Sequence, residues 1–118
     1  MLKTTFISLL VLLIIIVGGV FLFSNFEKPE ANLDSFAQCL SDKGAVMYGA
    51  DWCPHCQNEK ASFGESFKLV DYVECPDKPN ECLAKGVDGY PTWIFPDGRR
   101  FVGEQGLAKL SLESGCPL

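Results

Sequence analysis

Two cysteines separated by two residues, in Cys53-Pro54-His55-Cys56, are the residues of this sequence best placed to do chemistry. A thiol attacks or leaves as its thiolate, and an ordinary cysteine has a pKa of about 8.5, so its surroundings must hold it ionised. Residues 45–50 form an apolar run of strand length, and residues 57–67 have helical character. Cys53 therefore falls where a strand ends and a helix begins, at about the N-cap. There the unpaired N–H groups of the first turn, and the positive end of the helix dipole, face its sulfur. Pro54 at the first helical position loses nothing, because the N–H it lacks has no helical partner there. His55, the only histidine in the chain, can add a hydrogen bond or a positive charge. All of this favours a dithiol with an ionised Cys53, and stabilising the reduced form makes the disulfide a stronger oxidant. Cys56, one turn inside the helix, is expected to be more buried, with a higher pKa. Cys53 would then form the mixed disulfide with a substrate and Cys56 would resolve it.

Other chemistries fit the motif less well. Cys53 and Cys56 followed by Cys75 approach zinc-ribbon spacing, but the gap from Cys75 to Cys82 is far longer than the two residues expected. A haem attachment site needs a histidine where Gln57 stands. No metal and no cofactor is expected. Trp52 gives the motif an aromatic shoulder, and farther on Gly89-Tyr90-Pro91-Thr92 puts a proline just before a strand.

The elements that must position these residues follow from pattern. Asn32 or Asp34 can cap a helix through Leu33, Phe36, Ala37 and Leu40, and Gly44 stops it. The run at 45–50 is apolar without alternation, as in a strand buried on both faces. Gly64 breaks the helix after the motif, residues 69–75 form a second strand, and residues 80–85 a short helix closed by Gly86. Residues 92–95 and 99–102 flank the turn Pro96-Asp97-Gly98 as a hairpin, with Arg99 and Arg100 on a solvated edge. A closing helix over 106–114 offers Leu107, Leu110 and Leu112 to the core. The order α-β-α-β-α-β-β-α predicts an α/β fold: a mixed four-stranded sheet flanked by helices, which is the thioredoxin-like architecture.

Ahead of this domain, residues 6–23 carry no charge and a single polar side chain, Ser8. About eighteen such residues come close to spanning the ~30 Å of hydrocarbon in a bilayer. With Lys3 before the segment and Glu27, Lys28 and Glu30 after it, the amino terminus is expected inside and the rest outside. A cleaved signal peptide is the alternative, but its apolar core would be shorter and an A-x-A-like site should follow. Both readings export the domain. Residues 1–23 are thus read as a membrane anchor or signal segment, 24–32 as a polar linker and 33–118 as the domain. A net charge of -5 without a basic stripe excludes nucleic acid as a partner. All six cysteines lie in the exported part, the pattern of a small extracytoplasmic domain stapled by disulfides. Six cysteines allow fifteen pairings, and sequence does not choose among them.

Taken together, YGADWCPHC, QNEK, FG, YVEC, GYPTW and the final SGC resemble a particular thioredoxin-like family, over residues 33–118. It is the domain found behind the four-helix membrane bundle of bacterial vitamin K epoxide reductase homologues, and also encoded separately. The resemblance implies a cis Pro91 facing the reactive pair, with Trp52, Tyr90 and Pro91 forming the edge that receives an extended substrate chain. It also suggests that Cys75 pairs with Cys82, which leaves Cys39 for Cys116. The implied activity is an extracytoplasmic thiol-disulfide oxidoreductase that oxidises exported proteins and passes electrons to a quinone-linked membrane partner. One apolar segment in place of a bundle makes that partner a separate polypeptide. Many cytosolic thioredoxins carry a buried acid where Met47 stands, so reduction of substrates is less expected than oxidation. Isomerase or reductase activity, and a non-catalytic peptide-binding module, are the alternatives.

Overall fold

A computed structural model of the chain describes residues 1–23 and 32–118, which fall in two compact units, Met1–Ala31 and Asn32–Leu118. Of the expected linker only Asn32 is among the described residues. The first unit is one helix, α1 (Leu2–Phe23), whose 22 residues are long and apolar enough to cross a membrane. At a rise of 1.5 Å per residue such a helix measures ~33 Å.

The second unit follows the expected order. It runs α2 (Asp34–Asp42), β1 (Val46–Gly49), α3 (Pro54–Phe63), β2 (Asp71–Glu74), α4 (Pro79–Ala84), β3 (Thr92–Ile94), β4 (Arg100–Val102) and α5 (Leu107–Ser114). The sheet order is β2-β1-β3-β4. β1 pairs parallel with β2, Met47 opposite Tyr72, and antiparallel with β3, Met47 opposite Trp93; β3 and β4 close the antiparallel edge. The mixed α/β fold is the one the sequence predicts.

Local chemistry explains the boundaries. The N-cap of α2 is Leu33, not the expected Asn32 or Asp34. Asn32, one residue earlier, accepts the Asp34 N–H at 2.9 Å, while Asp34, the first helical residue, accepts from Ser66 Oγ at 2.6 Å. Gly64 takes φ 55°, a left-handed conformation that glycine adopts at no steric cost, and α3 stops there. A 3₁₀ helix, Gly64–Leu69, carries the chain to β2.

β1 is covered on both sides, as its unbroken apolar run predicts. Met47 points into the larger core with Phe36, Leu40, Phe63, Trp93 and Leu110, while Tyr48 joins Val73, Cys75 and Cys82 on the opposite face. Two disulfides staple these layers. Cys39–Cys116 joins α2 to the carboxyl terminus across 77 residues, and Cys75–Cys82 closes a loop between β2 and α4.

One surface expectation needs correction. Leu112 faces solvent at 81% exposure, because Leu110 has already taken the inward side of α5 and two residues on is roughly the opposite face of a helix. The arginines of the hairpin are exposed, as expected of a solvated edge, and also make specific bonds. Arg99 binds Asp97 at 2.7 Å and Glu113 at 3.0 Å. Arg100 donates to the carbonyls of Lys85 and Gly86, both at 3.0 Å, and so caps the end of α4.

Candidate functional site

The site is assembled where β1 delivers the chain to α3. The chain turns after Gly49, with the Cys53 N–H donating to the Ala50 carbonyl at 3.0 Å, and Cys53 becomes the N-cap of α3 with extended backbone (φ -78°, ψ 120°). Pro54 occupies the first helical position. Both placements match the spacing argument. Cys53 and Cys56 are thiols, 7% and 0% exposed, while Trp52 beside them is 68% exposed.

The two sulfurs differ electrostatically. Burial pushes the Cys53 thiol up, but the backbone N–H of Cys56, the Cys56 thiol and the backbone N–H of His55 outweigh it, and the net direction is down. Glu104 opposes that fall with its negative charge. Cys56 goes the other way: burial, reinforced by the hydrogen bond to Cys53 and by that sulfur's charge, pushes it up to about 11. A more acidic outer thiol beside a less acidic inner one is an asymmetric dithiol suited to attack by Cys53.

Close packing around Cys56 depends on Gly49. A Cβ added there would stand 2.8 Å from Cys56 Sγ, closer than carbon tolerates, and 3.2 Å from the Tyr72 ring, a tight contact. Behind it lies a polar ring. The Tyr72 hydroxyl donates to Glu74, Glu74 accepts the Asp51 N–H at 3.0 Å, and Lys60 pairs with Asp51 at 2.7 Å while lying 3.8 Å over the Tyr72 ring.

The second half of the site comes from the loop before β3. The Tyr90–Pro91 peptide is cis, and Cys53 Sγ lies 3.7 Å from the Tyr90 carbonyl oxygen, to which it donates. Tyr90 also meets Trp52 edge to face, ring centres 6.0 Å apart. The structure thus brings Trp52, Cys53, Tyr90 and Pro91 together, with an exposed aromatic ring beside the Cys53 sulfur.

His55 is placed differently from the expectation that its ring would serve the sulfur. Its Nδ1 lies 2.8 Å from Glu104 Oε2, and Cys53 feels the His55 backbone N–H instead. The zinc alternative loses a ligand, since Cys75 is bonded to Cys82.

Sequence reasoning missed Glu59, a carboxylate 1% exposed on α3. It accepts from Trp93 Nε1 at 3.1 Å, from the Gln105 N–H at 3.1 Å and from the Gly106 N–H at 3.2 Å. Burial pushes its pKa up, and those three donors pull it part of the way back. One signal was available: Glu59 lies three residues beyond Cys56, hence on the buried face of the same helix. Glu104 left no comparable trace, because it is 49 residues from His55.

No protein-family model matches the chain. Among proteins of known activity it is similar to the thiol-disulfide oxidoreductase LTO1 of Arabidopsis thaliana, 40% identical over 93 residues. That match covers 71% of this chain and 24% of the relative, so the chain spans about a quarter of the protein it resembles. With the asymmetric dithiol at a helix start, this similarity supports a thiol-disulfide oxidoreductase-like domain.

Proposed function

We propose that this domain works outside the cytoplasm, held to the membrane by α1, and oxidises cysteines of exported proteins through the Cys53–Cys56 pair. The observation that carries the reading is the split between the two thiols, Cys53 held below its ordinary value and Cys56 raised to about 11. A substrate thiolate attacks Cys53 in the disulfide form, and Cys56 leaves with the electron pair and takes up a proton. A second substrate thiolate then attacks the substrate sulfur of the mixed disulfide. Cys53 is a good leaving group in that step because its thiolate is stabilised. Two electrons have moved to the domain, and a quinone-linked membrane partner of the vitamin K epoxide reductase type removes them. The motif resemblance supports that partner. Trp52, Tyr90 and Pro91 receive the substrate chain, the Tyr90 carbonyl already lying within reach of Cys53 Sγ. Cys39–Cys116 and Cys75–Cys82 serve as staples.

Replacing Cys56 with alanine tests the reading, because mixed disulfides through Cys53 should then accumulate on exported proteins. A peptide-binding module would trap none. The potential of the wild-type pair against glutathione settles direction. About -120 to -200 mV fits an oxidase, and a value near the ~-270 mV of thioredoxin would overturn it.

A further inference from the structure

Four consecutive residues after β4 bind both the cis-proline loop and α3. The Gly103 N–H donates to the Pro91 carbonyl at 2.7 Å, tying the strap to the cis-proline loop. Glu104 Oε2 lies 2.8 Å from His55 Nδ1 and 3.4 Å from Asn58 Nδ2. The Gln105 and Gly106 N–H groups are held by the buried carboxylate of Glu59. Three backbone N–H bonds to two buried partners, Pro91 and Glu59, anchor the strap, so Glu104 is delivered to a fixed place over the first turn of α3.

That place matters to the sulfur. A carboxylate can only accept, so Nδ1 of His55 carries its proton toward Glu104 and not toward Cys53. The hydrogen bond from His55, and then that from Asn58, hold Glu104 below the usual carboxylate range, so it stays charged through neutral pH. Its charge acts on Cys53 against ionisation. Both effects have one sign: the ring is drawn away from the sulfur, and a negative charge stands near it.

We propose that Glu104 is a positioning residue that tethers the His55 ring and restrains the oxidising strength of the Cys53–Cys56 pair. This rests on the thiol-exchange reading above. Glu104 acts as a brake: without it the dithiol form is better stabilised and the disulfide becomes the stronger oxidant.

The test is equilibrium of the full chain, in detergent micelles, with reduced and oxidised glutathione. In that reaction the protein disulfide takes two electrons and two protons from two glutathione molecules, which become one glutathione disulfide. Alkylating free thiols and resolving the products by mass gives the dithiol fraction. Glu104→Gln removes the charge but keeps an acceptor for Nδ1, whereas Glu104→Ala also releases the ring. Glu104→Gln should shift the equilibrium about two- to fivefold toward the dithiol, and less at high salt. Glu104→Ala should shift it further. In a His55→Ala background the two substitutions should give equal shifts, because no ring remains to be released. Equal shifts in the wild-type background would overturn the tether, and no shift, or one toward the disulfide, would overturn the brake. Glu104 is exposed, and unchanged thermal melting of each variant separates these effects from loss of fold. If the wild type itself fails to exchange with glutathione, the proposed function fails. If it exchanges and the variants do not move, this inference alone fails.

Discussion

Removing the Glu59 carboxylate is the most informative perturbation of the fold beneath the site. Its two oxygens satisfy three donors, Trp93 Nε1 on β3 and the N–H groups of Gln105 and Gly106 at the start of α5. In Glu59→Ala all three lose their acceptor, at about 1–3 kcal/mol for each donor left without one. Two effects offset part of this: water enters the vacated space, and the cost of burying a charge disappears. A net loss of about 3 kcal/mol is expected, a large share of the 5–15 kcal/mol typical of a domain. At ~4–8 °C per kcal/mol for a domain of this size, Tm should fall by more than about 10 °C. Glu59→Gln keeps the volume and one acceptor oxygen but turns an NH2 group toward backbone donors, so its loss should be smaller, about 1–2 kcal/mol.

The pH dependence supplies the sign. Burial raises the Glu59 pKa above its ordinary 4.5, so the folded chain binds this proton more tightly than the unfolded chain does. The corresponding stability is fully present below pH 4.5 and is lost as pH rises through the higher folded value. The advantage of wild type over Glu59→Gln should therefore shrink from acid toward neutral pH. Urea unfolding of the disulfide-intact chain, followed by fluorescence, measures both quantities. An alanine variant within about 0.5 kcal/mol of wild type, or an advantage that grows with pH, would refute the reasoning.

Gly49→Ala should strain the resolving side of the site, since its Cβ would stand 2.8 Å from Cys56 Sγ. We expect a cost of about 1–3 kcal/mol and, because Cys56 is displaced, a build-up of Cys53 mixed disulfides without any change to Cys56 itself; quantitative trapping gels measure it. The two staples should differ in weight. Removing Cys39–Cys116, which spans 77 residues, should cost about 4–5 kcal/mol. Removing Cys75–Cys82, which spans 7, should cost about 2–3 kcal/mol, and denaturant midpoints of the paired serine variants order them.

The motif residues were legible because their roles depend on neighbours in sequence. An apolar strand, Cys53, Pro54 and a helix fix an N-cap without help from the rest of the chain, and Cys56 is inside because it lies one turn on. The glycine at 64 and the hairpin turn at 96–98 were legible for the same local reason. His55 shows where such reasoning ends. Its backbone N–H serves Cys53 as a local argument requires, but its ring goes to a carboxylate 49 residues away. Arg100 is similar: it lies on the exposed edge that local reasoning gives, but only the fold supplies the carbonyls at the end of α4 to which it donates. Leu112 was misplaced because three leucines in six residues cannot all share one helix face, and packing chose Leu110.

The sequence by itself determined the reactive pair, the strand-to-helix junction that polarises it, the order of the elements and the apolar length of α1. These follow from spacing and from residue chemistry acting over a few positions. The tertiary structure decided which cysteines bond, why residue 49 has no side chain, and that Glu59 and His55 hold the loop carrying Glu104. Those contacts join residues far apart in the chain. Their partners are set by how the sheet and helices close on one another, which no local pattern encodes.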